Sequence, residues 1–185
     1  MAGVLLDMAI SLDGLICGPG GSDGGLYDWY VDPSDVNRPV IEELVATTGA
    51  IVIGRGVYGT ADDAQGWDET PYDVPHVVVT HRPPRPAPAG PVDFIFVEGI
   101  REAVQRARES AGDRYATIGG GADIARQALA AGLVDEIQLH VVPVLLGDGV
   151  PLFPRTPTAW RLTRTNVVDA SDVTHLRYRV EGPRD

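Results

Sequence analysis

Short apolar runs alternate with helical patterns along most of this chain, and that alternation restricts the fold to one broad class. Val4 to Ile10 (VLLDMAI) is a mostly apolar strand, while AIVIG (Ala50 to Gly54) and HVVVT (His76 to Thr80) are the fully apolar runs of strands covered on both faces. FIFV (Phe94 to Val97), YATI (Tyr115 to Ile118) and the alternating Ile137, Leu139 and Val141 supply further strands. Between them, Val40, Ile41, Leu44 and Val45 recur at helical spacing, with Pro39 tolerable only in the first turn and Gly49 expected as the C-cap. Ile100, Ala103, Val104 and Ala107 mark a second helix ending at Gly112. GGGADIARQALAAG reads as a glycine turn feeding a third helix that closes at Gly132. Trp160 and Leu162 pair with Leu176, Tyr178 and Val180 across the turn DASD as an antiparallel hairpin. Strand and helix in this order predict an α/β fold: a mostly parallel central sheet flanked by helices, with an antiparallel edge.

The 185 residues fit one compact domain, 1–185. Asp13 to Gly25 reads as a long loop, and the Pro-rich RPPRPAPAGP as a rigid surface connection. No run approaches the roughly 20 apolar residues of a spanning helix. MAGVLLDMAI has neither a basic leader nor a small-residue cleavage site, so a cytoplasmic protein is expected. Cys17 is alone, which precludes an internal disulfide or a multi-cysteine zinc site, and it is expected to be a small buried residue. His76, His81, His140 and His175 have no metal-ligand spacing, and His140 and His175 read as strand residues. A formal net charge of −11 repels nucleic acid and anionic lipid. A phosphorylated ligand would therefore need a local basic pocket.

Gly119, Gly120 and Gly121 stand between a strand and a helix opened by Ala122 and Asp123. Backbone N–H groups at a helix start favour an anion, although a glycine turn at this place also arises for steric reasons. Gly54 and Arg55, with Tyr58 one turn further on, end a second strand, and Thr80, His81 and Arg82 end a third. Three parallel strand ends meet along one edge of such a sheet, where open α/β folds bind ligands. There Arg55 and Arg82 offer permanent charge suited to phosphate; taken singly, each reads rather as a surface charge capping the sheet. Asp13 in SLDGLI, and Asp28, Asp32 and Asp35 around Trp29, are carboxylates able to hold a proton if shielded, and also ordinary turn residues. Trp29 reads equally as core.

SLDGLI, GRGVY, VVVTHR, GGGADIARQAL, GLVDEI and PVLLGDGVPLF, followed by THLRYRV, occur in the order typical of the riboflavin-synthesis reductase domain. Over nearly its whole length the chain resembles the stand-alone bacterial branch of that family, related to dihydrofolate reductase. The resemblance implies a three-layer fold and NADPH as cofactor. It implies that Gly119, Gly120, Gly121 and Ala122 hold the pyrophosphate and that Gly54, Arg55, Thr80, His81 and Arg82 surround the adenosine phosphates. The main chain of Ala9 and Ile16 would meet the nicotinamide carboxamide, with Asp13 on the loop beside the ring. Asp32 and Asp35 are candidate proton donors, and a homodimer is expected. The deaminase that usually precedes this domain needs H-x-E and P-C-x-x-C, which a chain with one cysteine lacks. The resemblance thus points to hydride transfer onto a small heterocyclic or ribosylamino-pyrimidine or pterin-like substrate, dihydrofolate being a narrower case. A non-catalytic NADP-binding or small-ligand-binding protein is the alternative.

Overall fold

The computed structural model of the protein describes residues 3–59, 70–84, 92–153 and 159–183. Its strands are β1 (Val4–Ser11), β2 (Leu15–Cys17), β3 (Thr48–Gly54), β4 (His76–Val79), β5 (Phe94–Val97), β6 (Tyr115–Gly120), β7 (Glu136–Val142), β8 (Val150–Pro151), β9 (Trp160–Asp169) and β10 (Thr174–Pro183). The helices are α1 (Asp28–Val31), α2 (Arg38–Thr47), α3 (Arg55–Tyr58), α4 (Ile100–Ala111) and α5 (Ala122–Ala130). One sheet runs in the order β5-β4-β3-β6-β1-β7-β10-β9, parallel from β5 to β7 and antiparallel at β10 and β9. The α/β fold read from the sequence, with its terminal hairpin, is the fold observed.

Central position explains the apolar runs. In β1, Val4, Leu6, Met8 and Ile10 face α4 and α5 in the main core, while Leu5 packs with Val40 and Leu44 of α2 on the opposite face. Every residue of β3 is buried. The exception in β1 is Asp7, a carboxylate inside a strand whose other residues are all buried. A charge in that position is costly unless it is paired.

Three expectations need correction. Gly49 is not a C-cap: α2 runs straight into β3, and the Thr48 N–H closes the helix on the Leu44 carbonyl. What Gly49 provides is proximity, because a Cβ there would sit 2.4 Å from the Ala111 carbonyl oxygen at the end of α4. Asp13 to Gly25 is not loop throughout, since β2 pairs antiparallel with β8. Cys17 is only half-buried. Of the Pro-rich connection, all but 82–84 lies outside the described residues.

The motifs behind the resemblance lock this framework together. Asp135 of GLVDEI accepts the Val4 N–H at 2.7 Å and Arg108 at 3.0 Å, fixing the start of β1. Asp13 of SLDGLI accepts the Ser11 hydroxyl at 2.6 Å and the N–H groups of Leu146 and Gly147 at 3.2 and 2.7 Å. Those donors, the Ser11 hydroxyl foremost, hold the exposed Asp13 carboxyl below its ordinary value.

Candidate functional site

The chain leaves β3 towards β4 and leaves β6 towards β7, in opposite directions along the sheet. A crevice opens where connections diverge in this way. Here it is a cleft of about 730 Å³ lined by Gly54, Arg55, Thr80, His81, Gly119, Gly120, Gly121, Ala122 and Asp123, with Ile16 and Cys17 on the facing strand. The three strand ends singled out in the sequence do converge. Gly121 takes φ +91°, which L side chains rarely adopt, and its Cα side lies against the Gly54 backbone. The first turn of α5, whose N–H groups have no acceptor within the helix, lines the cleft with Ala122, Asp123 and Ile124. Arg55 Nη1 is buried without a hydrogen-bond partner among the described residues, an unmet donor on the cleft wall.

Not every cofactor candidate faces this cleft. Arg82 is exposed and outside its lining, its N–H donating to Thr80 Oγ1 at 3.1 Å. Tyr58 is buried among Phe94 and Phe96 and serves the cleft only by carrying Arg55 on its ring at 5.2 Å. Ala9 lines a different cavity. Arg126, one turn into α5, adds a cation the sequence reading overlooked, although its i+4 spacing from Ala122 would have revealed it.

A second cavity, of about 250 Å³, shares Met8, Tyr27, Val57 and Gly119 with the first. Its walls are Asp7, Ala9, Trp29, Tyr30, Tyr72, His76, Thr117 and His140 among others, and no arginine lines it among the described residues. Burial, with Asp7 and Tyr30 beside it, pushes the Tyr72 phenol up. Burial likewise pushes the His76 ring down, its Nδ1 lying 2.8 Å from the Val74 carbonyl. Asp32 and Asp35 are exposed and line neither cavity, and Asp13 is occupied by the loop contacts above. The carboxylate that borders the second cavity is Asp7. Its signal in the sequence was the one charge interrupting VLLDMAI.

Sheet order, crossover and cleft together define a dihydrofolate reductase-like α/β domain. The model of the RibD C-terminal domain family matches residues 2–176, and the chain belongs to that family. It is 26% identical over 174 residues to the uncharacterized protein YwjB of Bacillus subtilis, covering 94% of this chain and 95% of that one. Its fold is similar to a putative riboflavin biosynthesis protein from Shewanella sp. PV-4, with TM-score 0.69, 21% identity and coverage of 98% and 99% of the two chains. The riboflavin biosynthesis reductase Rib7 of Saccharomyces cerevisiae has the same fold, with TM-score 0.63, 14% identity and coverage of 97% and 90%.

Proposed function

We propose that the protein is an NADPH-dependent reductase acting on a small, flat heterocycle of the pyrimidine or pterin type. The observation that carries this reading is the shared wall between the two cavities. One has the glycine turn and cations a dinucleotide needs; the other has aromatic walls of a size for a single heterocycle.

The residues present fit the coenzyme. The glycine turn and helix start at Gly121 and Ala122 suit a pyrophosphate, and the unmet Arg55 Nη1 suits a phosphate oxygen. Bound there, the coenzyme supplies a hydride from its reduced nicotinamide ring. The chain's own part is to orient the acceptor: Trp29, Tyr30 and Tyr72 flank a planar ring, and Asp7 anchors its polar edge. A phosphorylated substrate finds no arginine among the described residues of this cavity, which favours an unphosphorylated one.

We also propose a homodimer formed through β9. It is one edge of the sheet, with Leu162 and Val167 facing solvent. Sedimentation at micromolar concentration should give a dimer, and a monomer would refute this part. For the function, calorimetry should find saturable NADPH binding, tighter than NADH. NADPH oxidation should then appear with a dihydropterin or pyrimidine imine. Coenzyme binding without turnover across such acceptors would instead establish the non-catalytic reading.

A further inference from the structure

Asp7 does not stand alone at the cavity wall. Its Oδ1 lies 2.9 Å from His140 Nε2, and His140 Nδ1 lies 2.5 Å from His175 Nδ1. His175 Nε2 is 3.1 Å from Asn37 Oδ1, and Asn37 Nδ2 reaches both oxygens of Asp172 at 3.1 and 3.0 Å. His140 and His175 face each other across the β7–β10 ladder, and Asp7 sits diagonally on β1. A single file of hydrogen bonds thus runs from the cavity to the hairpin turn, through residues that are buried at His140, His175 and Asn37.

The polarity of the file is set from its Asp172 end. Asp172 is a carboxylate and accepts, so the Asn37 amide nitrogen must face it and donate. The Asn37 oxygen is therefore turned to His175, whose Nε2 must carry a hydrogen. A neutral His175 then has a bare Nδ1, which accepts from His140 Nδ1–H. With that hydrogen in place, the contact between His140 Nε2 and Asp7 needs one more proton. It rests either on nitrogen, as imidazolium beside carboxylate, or on oxygen, as imidazole beside carboxylic acid. One other arrangement has no facing acceptors, a charged His175 donating to a bare His140 Nδ1, and burial beside His140 disfavours that charge; the rest leave two acceptors face to face inside the protein, which is expensive.

We propose that Asp7 and His140 share one stored proton at the cavity wall, that this pair is the site's proton donor, and that Asp172 sets its polarity through Asn37 and His175. The proposal deepens the reductase reading and rests on it for the donor's purpose. As the carbon of a C=N bond gains hydride, its π pair moves onto nitrogen, and the stored proton forms the new N–H bond. The pair is left one proton short and regains it from water at Asp7, whose side chain is 18% exposed, once the product has left. Asn37 does not conduct, since an amide does not relay protons; Asn37 and Asp172 are positioning residues.

Independent features agree. Burial, then the neighbouring His140, pushes His175 down to about 4, which keeps it neutral as the polarity demands. The Trp29 ring lies 4.4 Å from the His140 ring at 33°, a face that stabilises a cation. The other titratable groups around the pair are Tyr27 and Tyr30 at α1, and Tyr72 ahead of β4; Asp7 contributes to raising all three phenols.

Nitrogen-edited NMR of the ring nitrogens in the unmodified protein tests this without substrate. Near neutral pH, His140 should carry a hydrogen on Nδ1, and His175 on Nε2 alone. A bare His140 Nδ1 would overturn the assignment of the stored proton to Asp7 and His140. Asp172→Ala, remote from the cavity, should release Asn37 and shift His140 towards a bare Nδ1, a change that a merely packing role would not produce. An unchanged His140 spectrum in folded Asp172→Ala protein would refute the polarity mechanism. Calorimetry with NADPH on the same samples tests the reading beneath. No NADPH binding beside the expected His140 spectrum would overturn the reductase assignment and leave the stored proton standing.

Discussion

The glycine cleft and the aromatic cavity share a wall, yet they are built in opposite ways. The cleft is assembled from strand ends, each a contiguous stretch such as Gly119 to Ala122, and its chemistry is largely main-chain amide. The cavity takes side chains from β1, α1, the segment ahead of β4 and β7, distant in sequence, and its chemistry is that of Asp7 and aromatic rings. A local motif suffices to build the cleft, whereas the cavity is a tertiary property. Lesions in the cleft should therefore change coenzyme affinity, and lesions in the cavity should change turnover.

The largest separation is expected from Asp7→Asn. With a dihydropterin as acceptor, kcat should fall about 100-fold or more, the usual contribution of a positioned acid. NADPH affinity should stay unchanged, because Asp7 does not line the cleft. A matching loss of coenzyme affinity would erase the distinction between the two regions. Arg55→Ala works in the other direction. Losing a charge-assisted contact of about 2 kcal/mol should weaken NADPH binding by roughly 30-fold, read by calorimetry.

His175 gives a pH signature of the buried file. Its native value of about 4 lies below its ordinary 6.5, so the unfolded chain binds more protons between these limits. The stabilisation is whole above pH 6.5 and is lost as pH falls towards 4. Thermal unfolding followed through that window should show Tm falling with acidity, and less steeply in His175→Gln. The smallest effect is reserved for Arg82→Ala. Exposed and outside the cleft lining, it should alter NADPH affinity far less than Arg55→Ala; an equal loss would extend the coenzyme site beyond the strand ends.

Legibility in the sequence followed the same division. The parallel sheet was readable because both of its faces are covered, which leaves AIVIG and HVVV as uninterrupted apolar runs. Gly54, Arg55, Thr80 and Gly119 to Gly121 were readable because strand ends in a parallel sheet converge by geometry alone. Gly49 was misread because local rules see a helix ending, not the α4 backbone 2.4 Å from where its Cβ would be. Asp13 drew attention as a carboxylate near the ring; the structure spends it on tying Leu146 and Gly147 to the β1 turn. Asp7 was passed over because its partners, His140 and then His175, reach it only through strand register. Distance along the chain hides such a pairing from any periodic pattern.

The most direct test of this account is a calorimetric titration of the purified protein with NADPH and with NADH, run in parallel on Arg55→Ala. Saturable binding of NADPH, tighter than of NADH and weakened in the variant, is the predicted result. Absence of heat with both coenzymes in the unmodified protein would contradict the assignment of the glycine cleft, and with it the reductase function.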